Sequence, residues 1–293
     1  ESQHMDTRKG AQKLQQCSME ALRLAARRFT ATRCLARATT RRLSSAPGSA
    51  NAFRAKLQTR PRGCSLQFAV IPSPVVTQAM AAAGADAICI DLEHGPIDYK
   101  DAQAMVASVR GSDCAPVVRV PSIEPLSVKR ALDLGAEGVV FPLACTAADV
   151  ERAVRTLHYP PRGDRGFGPF VAASAKGFEF AEAAAHYERN PPLCVVLIET
   201  AEAVDNIDAI LAVEGVDAFQ LAQFDLSTAL GASGRFDDPG FLAAERRVEE
   251  AAFARGIPLG AVALTADRAA ELHARGYALT VGFDVHWLKA GVA

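Results

Sequence analysis

From residue 64 onward, short apolar runs alternate with longer Ala-rich stretches of helical period. The runs are LQFAVI (66–71), AICI (87–90), PVVRV (116–120), GVVFPL (138–143), CVVLI (194–198), AFQLA (218–222), PLGAVAL (258–264) and ALTVGF (278–283). Runs that are apolar throughout, rather than at every second position, fit strands buried on both faces, as in parallel sheets. Amphipathic segments at 74–83, 98–109, 125–134, 146–157, 201–213, 237–255 and 265–275 lie between them. "AAAGADAI", "LDLGAEGVV", "LAVEGVDAF" and "HARGYALTV" each place a Gly where a helix should stop, which predicts left-handed caps ahead of the next strand. Eight strands with seven or eight helices in about 230 residues predict an α/β fold, a (β/α)8 barrel. The alternative, an open doubly wound sheet, needs a Gly-rich phosphate turn after its first strand, and "VIPSPVV" is not one. The last helix, 285–292, is expected to be short.

Composition adds limits. A chain of 293 residues, 49% hydrophobic with a formal net charge of -1, can bury a large core. Seven cysteines, an odd number without a CxxC pair, argue against a disulfide framework or zinc cluster and for a reducing compartment. Residues 1–60 hold 13 of the 32 Lys and Arg but only three acids, so the remainder carries 19 bases against 30 acids, a net of -11. An acidic body lacks the electrostatic footprint of a nucleic-acid binder. No apolar run nears the roughly 20 residues of a membrane-spanning helix.

The basic segment reads differently from the body. "MEALRLAARRFTATRCLARATTRRLSSAPGSA" (19–50) is rich in Arg, Ala, Ser and Thr with one acid, and its leucines alternate with arginines. That composition is that of an organellar transit peptide. It predicts the mitochondrial matrix, with a plastid or the cytoplasm as alternatives and a disordered basic tail as the competing reading. Met19 is the expected start, and Arg42 before "LSSA" the expected processing neighbourhood. The chain thus divides into a basic segment, 1–50, and a single barrel domain, 51–293.

In a barrel, chemistry gathers where the strands end. The second run ends in "IDLEHGPID", with Asp91, Glu93 and His94; the third carries Arg119; the fifth ends in Glu199; the sixth leads into Asp225; the eighth ends in Asp284. Glu199 and Asp225 also have structural readings, as a first-turn acid in "ETAEAV" and as an N-cap in "DLSTAL". Arg119, set among valines, needs an anionic partner in a core. Two carboxylates on adjacent strands can hold a hard divalent cation and leave positions open for substrate. An arginine can stabilise an enolate oxygen and a histidine can move a proton. This set suits carbon–carbon cleavage beside a 2-oxo acid without a Schiff base, since no lysine ends the sixth run. The rival readings are oxaloacetate decarboxylation or acyl-CoA cleavage at the same site, and a non-catalytic binding barrel.

Seven motifs in order, "IDLEHGPID", "PVVRV", "LDLGAEGVVFP", "YPPRGDRGFG", "LIETAEAVDNIDAI", "FDLSTALG" and "VGFDV", resemble the HpcH/HpaI aldolases from about Phe68 to Leu288. The resemblance implies a (β/α)8 TIM barrel of the phosphoenolpyruvate/pyruvate-binding type, a 2-oxo acid substrate and a divalent cation (Mg2+, Mn2+ or Co2+) with no organic cofactor. It implies a homo-oligomer, a hexamer with an exchanged terminal helix. His94 matches the acid/base histidine, Arg119 the enolate-stabilising arginine, and Glu199 and Asp225 the metal carboxylates. Asp133 matches an aspartate that raises the histidine's basicity, and Asp91 and Glu93 match acids around the metal's water shell. The main chain at Gln223 and Phe224 matches the groups that receive the pyruvate carboxylate. "DRGFGPF" (164–170) matches a loop that shapes the pocket and stands nearer the fungal-type branch, some of whose members decarboxylate oxaloacetate. Bacterial members often carry Gly-Pro where this chain has Ala222-Gln223, and Gln where it has Leu197.

Overall fold

Eight parallel strands follow one another around a closed barrel: β1 (Cys64–Ala69), β2 (Ala87–Asp91), β3 (Ala115–Arg119), β4 (Gly138–Phe141), β5 (Leu193–Ile198), β6 (Ala218–Leu221), β7 (Leu259–Val262) and β8 (Leu279–Phe283). β8 pairs back onto β1, so no edge is left open. This computed structural model describes residues 49–59 and 63–292, all within the unit Pro47–Ala293. The transit-like segment, as far as residue 48, lies outside the described residues. The helices before β4 are α1 (Ser49–Thr59), α2 (Pro74–Ala82), α3 (Tyr99–Ser108) and α4 (Pro125–Asp133). Then come α5 (Ala147–Leu157), α6 (Phe170–Lys176), α7 (Phe180–Arg189), α8 (Ala201–Asp205) and α9 (Ile207–Leu211). α10 (Gln223–Ala229), α11 (Pro239–Ala254), α12 (Ala266–Arg275) and α13 (Asp284–Val292) complete the set. Among the described residues, no helix is long and apolar enough to cross a membrane.

Alternate strand residues separate two cores, because successive side chains point to opposite faces. Leu66, Phe68, Cys89, Val117, Val140, Val195, Leu197 and Val281 fill the interior. Ile88, Ile90, Val118, Val139, Val196 and Phe219 pack outward against the helices. The predicted helix-ending glycines behave as expected; Gly84 and Gly276 have φ of +100° and +105°.

Three features depart from the sequence reading. The segment expected as one helix over 201–213 breaks at Asn206, whose side-chain amide bonds the Cys145 carbonyl at 3.0 Å. α6 and α7 had no clear periodic signal, and Gly177, at φ +70°, separates them. Helix α1 was not anticipated at all. Its Ala50, Phe53 and Leu57 join the interior core at the mouth where the strands begin. Burying the last two is worth about 1.5–3 kcal/mol each, enough to hold a short helix that would be marginal alone. Arg54 pairs with Asp217, Lys56 with Asp86 at 2.8 Å, and the Ala50 N–H with Glu137 at 2.9 Å. With this mouth stoppered, the site belongs at the other.

Candidate active site

The period of two along each strand decides which charges reach the open mouth. On β2 the interior positions Ala87 and Cys89 lead to Asp91; on β3, Ala115 and Val117 lead to Arg119; on β5, Val195 and Leu197 lead to Glu199. Asp91 and Arg119 are direct register partners. They form a buried bidentate pair, Arg119 Nε to Asp91 Oδ1 at 2.9 Å and Nη2 to Oδ2 at 2.5 Å. Asp91 Oδ1 also accepts the main-chain N–H groups of Glu93 and His94, at 3.1 and 3.2 Å. One carboxylate therefore aims the arginine and shapes the turn carrying the histidine. The guanidinium rests 4.8 Å over the Phe68 ring. Burial opposes its charge, but the Asp91 hydrogen bond and negative charge outweigh burial, so Arg119 stays ionised.

Glu93 Oε2 lies 3.3 Å from Arg119 Nη1, close enough for an ion pair, yet has no hydrogen-bond partner. The same oxygen is 4.0 Å from His94 Nε2, and the His94 side chain is 63% exposed. Burial pushes the Glu93 carboxyl up; Asp91 and Asp225 add to the rise, while Arg119 and His94 oppose it.

Glu199 is buried at the end of β5. Its Oε1 accepts the main-chain N–H of Leu143, in the turn after β4. Leu143 is the one non-glycine with positive φ among the described residues, at +57°. A conformation of that kind costs about 1–3 kcal/mol, and here it aims an N–H at a carboxylate. Burial pushes Glu199 up to about 7, with the charges of Glu93 and Asp225 adding and the Leu143 N–H and Arg119 opposing. Asp225 stands exposed in the first turn of α10. Neither structural reading of these acids holds: Ala222 occupies the cap position of α10, and Glu202 is the first-turn acid of α8.

Glu93, Glu199 and Asp225 thus stand within electrostatic reach of one another, and Asp91 already claims the nearest guanidinium. Negative charge is in excess. Hard oxygen donors of this kind suit a divalent cation that keeps water and substrate oxygens in its shell. Among the described residues, no three or more His, Cys, Asp or Glu side chains are grouped closely enough to hold a metal ion by themselves.

The side chains of the other candidates are engaged elsewhere. Gln223 Oε1 accepts the Val262 N–H at 2.7 Å, so that side chain is committed. Phe224 packs edge-on to Phe236, ring centres 5.3 Å apart. Behind them a cavity of about 510 Å3 opens between α11 and α12, lined in part by Phe241, Glu245 and Arg268; Arg119 and Glu199 are not in its wall. Asp284 takes the N–H groups of Val70 and Ile71 at 3.0 and 2.9 Å, tying α13 to the exit of β1. Asp133 does not join the group. It closes α4 and pairs with buried Arg165 at 3.1 Å, whose guanidinium stacks on Tyr159 and Tyr187. Burial lifts the Asp133 carboxyl, against the pull of Arg165. Because α4 runs back from the end of β3, Asp133 lies toward the far end of the barrel from His94.

Sequence reasoning missed two residues. Leu143 leaves no signal, since nothing in its type announces a left-handed turn. Gln220 was legible: it shares the parity of Ala218 and Ala222, which face the interior, and it pairs in register with Leu197.

Comparison with known proteins agrees with this fold. The family model described as HpcH/HpaI aldolase/citrate lyase matches residues 65–290. A 5-keto-4-deoxy-D-glucarate aldolase from Shigella boydii serotype 18 is 34% identical over 248 residues, covering 83% of this chain and 94% of that protein. The crystal structure of an HpcH/HpaI aldolase/citrate lyase family protein from Burkholderia cenocepacia J2315 matches with TM-score 0.75 at 31% identity, over 83% of this chain and 96% of that one. Macrophomate synthase matches with TM-score 0.73 at 28% identity, over 84% and 87%. With a closed eight-strand barrel and charged strand ends at one mouth, the chain belongs to the HpcH/HpaI aldolase/citrate lyase family and is a carbon–carbon lyase.

Proposed function

We propose that the protein cleaves a 4-hydroxy-2-oxo acid to pyruvate and an aldehyde, with a divalent cation. The observation that carries this reading is the buried Glu199, held by one main-chain N–H and without a basic side chain of its own, beside Asp225 and Glu93 while Asp91 fixes Arg119 at the same mouth. Glu199 and Asp225 would hold the cation (Mg2+, Mn2+ or Co2+), which when bound supplies a Lewis acid for the 2-oxo group. The main-chain N–H groups of Gln223 and Phe224, in the first turn of α10 and without intrahelical acceptors, receive the carboxylate. His94 takes the proton of the C4 hydroxyl. The C3–C4 bond breaks, its electron pair moves toward C2, and the aldehyde departs. Arg119 stabilises the enolate oxygen until C3 regains a proton and pyruvate leaves. The name shared by the curated relatives supplies a first substrate: numbered from its keto end, 5-keto-4-deoxy-D-glucarate is a 4-hydroxy-2-oxo acid.

The experiment is pyruvate release from that substrate before and after EDTA. Activity is expected to vanish with chelation and return with Mg2+ or Mn2+; undiminished turnover in EDTA overturns the reading.

One observation favours a second reaction at the same site. His94 has no carboxylate within hydrogen-bonding distance, and decarboxylating oxaloacetate needs no base to begin. His94→Gln is expected to lower aldol cleavage by about 10²–10⁴-fold and to spare oxaloacetate decarboxylation. Equal loss of both would assign the histidine another task. A homo-oligomer is what the family resemblance implies; Asp133, at the far end of its own barrel and paired with Arg165, takes no part in these steps. We propose the mitochondrial matrix as location; residues 19–50 fused to a fluorescent protein are expected to direct it there, and diffuse cytosolic signal would refute it.

A further inference from the structure

Below the tier of Asp91, Arg119 and Glu199, the barrel interior is filled by apolar and small residues with one exception, Gln220 on β6. Its parity neighbours Ala218 and Ala222 belong to the interior core, whereas Phe219 and Leu221 face the helices. Gln220 is 3% exposed, and its Oε1 is buried without a hydrogen-bond partner. Its register partners are Leu197 on β5 and Gly260 on β7, neither of which has a polar side chain. An orphaned buried amide costs about 1–3 kcal/mol, and leucine would fill the same place without that penalty. Two residues further along β5 from Leu197 stands Glu199, so the amide lies on the tier under the proposed cation ligand.

We propose that Gln220 is a substrate-binding, specificity-determining residue: its amide, on the floor of the mouth, donates a hydrogen bond to an oxygen of the bound 2-oxo acid. The two ends of the amide exchange by a half-turn about χ3, so the buried position can present NH2 to an oxygen-rich anion. An aliphatic floor would bind such an anion poorly, and a carboxylate there would repel it. This inference rests on the reading of the site as one for a 2-oxo acid.

The test is pyruvate binding in the presence of Mg2+, by calorimetry, to the full chain and to Gln220→Leu and Gln220→Glu. Leucine is expected to weaken binding about 10- to 100-fold, the worth of a hydrogen bond to a charged group, while Mn2+ affinity is unchanged and the melting temperature is equal or higher. Glutamate is expected to weaken pyruvate binding further. A purely structural glutamine gives the opposite result: a lower melting temperature with pyruvate affinity intact, which overturns the proposal. Should the leucine variant fail to fold, Gln220→Met, unbranched and of similar volume, takes its place with the same expectation. If the unaltered protein binds no pyruvate, the 2-oxo acid reading falls; if it binds and the leucine variant binds equally, this inference alone falls.

Discussion

Arg119→Met is expected to lower stability by about 3–5 kcal/mol, because it leaves the fully buried Asp91 carboxylate without its bidentate partner. The same change removes the charge proposed to stabilise the enolate oxygen, so lyase activity should fall by at least about 10²–10³-fold. The two effects separate in the double variant Asp91→Leu, Arg119→Met. Replacing both members of a buried pair with apolar residues is often neutral, but Asp91 also accepts two main-chain N–H groups, so its melting temperature should recover in part while activity stays absent. Chemical denaturation of the three proteins beside pyruvate release checks this. A single variant as stable as the parent would mean that the main-chain N–H groups of Glu93 and His94 suffice to hold the Asp91 carboxylate.

Glu199→Gln should cost the most in metal binding. It removes the one deeply buried carboxylate of the pair, and Mn2+ affinity and turnover are both expected to collapse. The parent protein should also show a pH signature once stripped of metal. Glu199 has a folded-state pKa of about 7, above the ordinary 4.5, so the folded state holds its proton more tightly than the unfolded state. Its contribution is fully present below pH 4.5, and stability falls as pH rises through about 7. That gap is worth about 3 kcal/mol. In EDTA the melting temperature should therefore drop between pH 5 and 8. Added Mg2+ should flatten the drop, and Glu199→Gln should abolish it. A flat profile for the stripped parent would show that Glu199 is already compensated by protein groups.

Much of this site was readable because a strand has a two-residue period. Once AICID, APVVR and CVVLIE are taken as barrel strands, Asp91, Arg119 and Glu199 must share a face, and adjacent β2 and β3 put the first two in contact. The same logic would have found Gln220. What escaped depends on the distant chain. Asp133 looks like any helix acid until the loop after α5 brings Arg165 against it. Leu143 acquires its role from the turn that holds it. Helix α1 was hidden by its neighbourhood: Ala50, Phe53 and Leu57 have helical spacing, but they follow a run of arginines whose composition argued against packed structure.

The anchoring of α1 sets a boundary on trimming. Asp86, Glu137 and Asp217 stand just ahead of β2, β4 and β6, and the helix ties all three from below. Trimming that stops before Ser49 removes no part of that fastening. A chain cut beyond Arg54 would lose the Asp217 and Glu137 ties and take Phe53 off the barrel interior, so the lower mouth would lose its stopper.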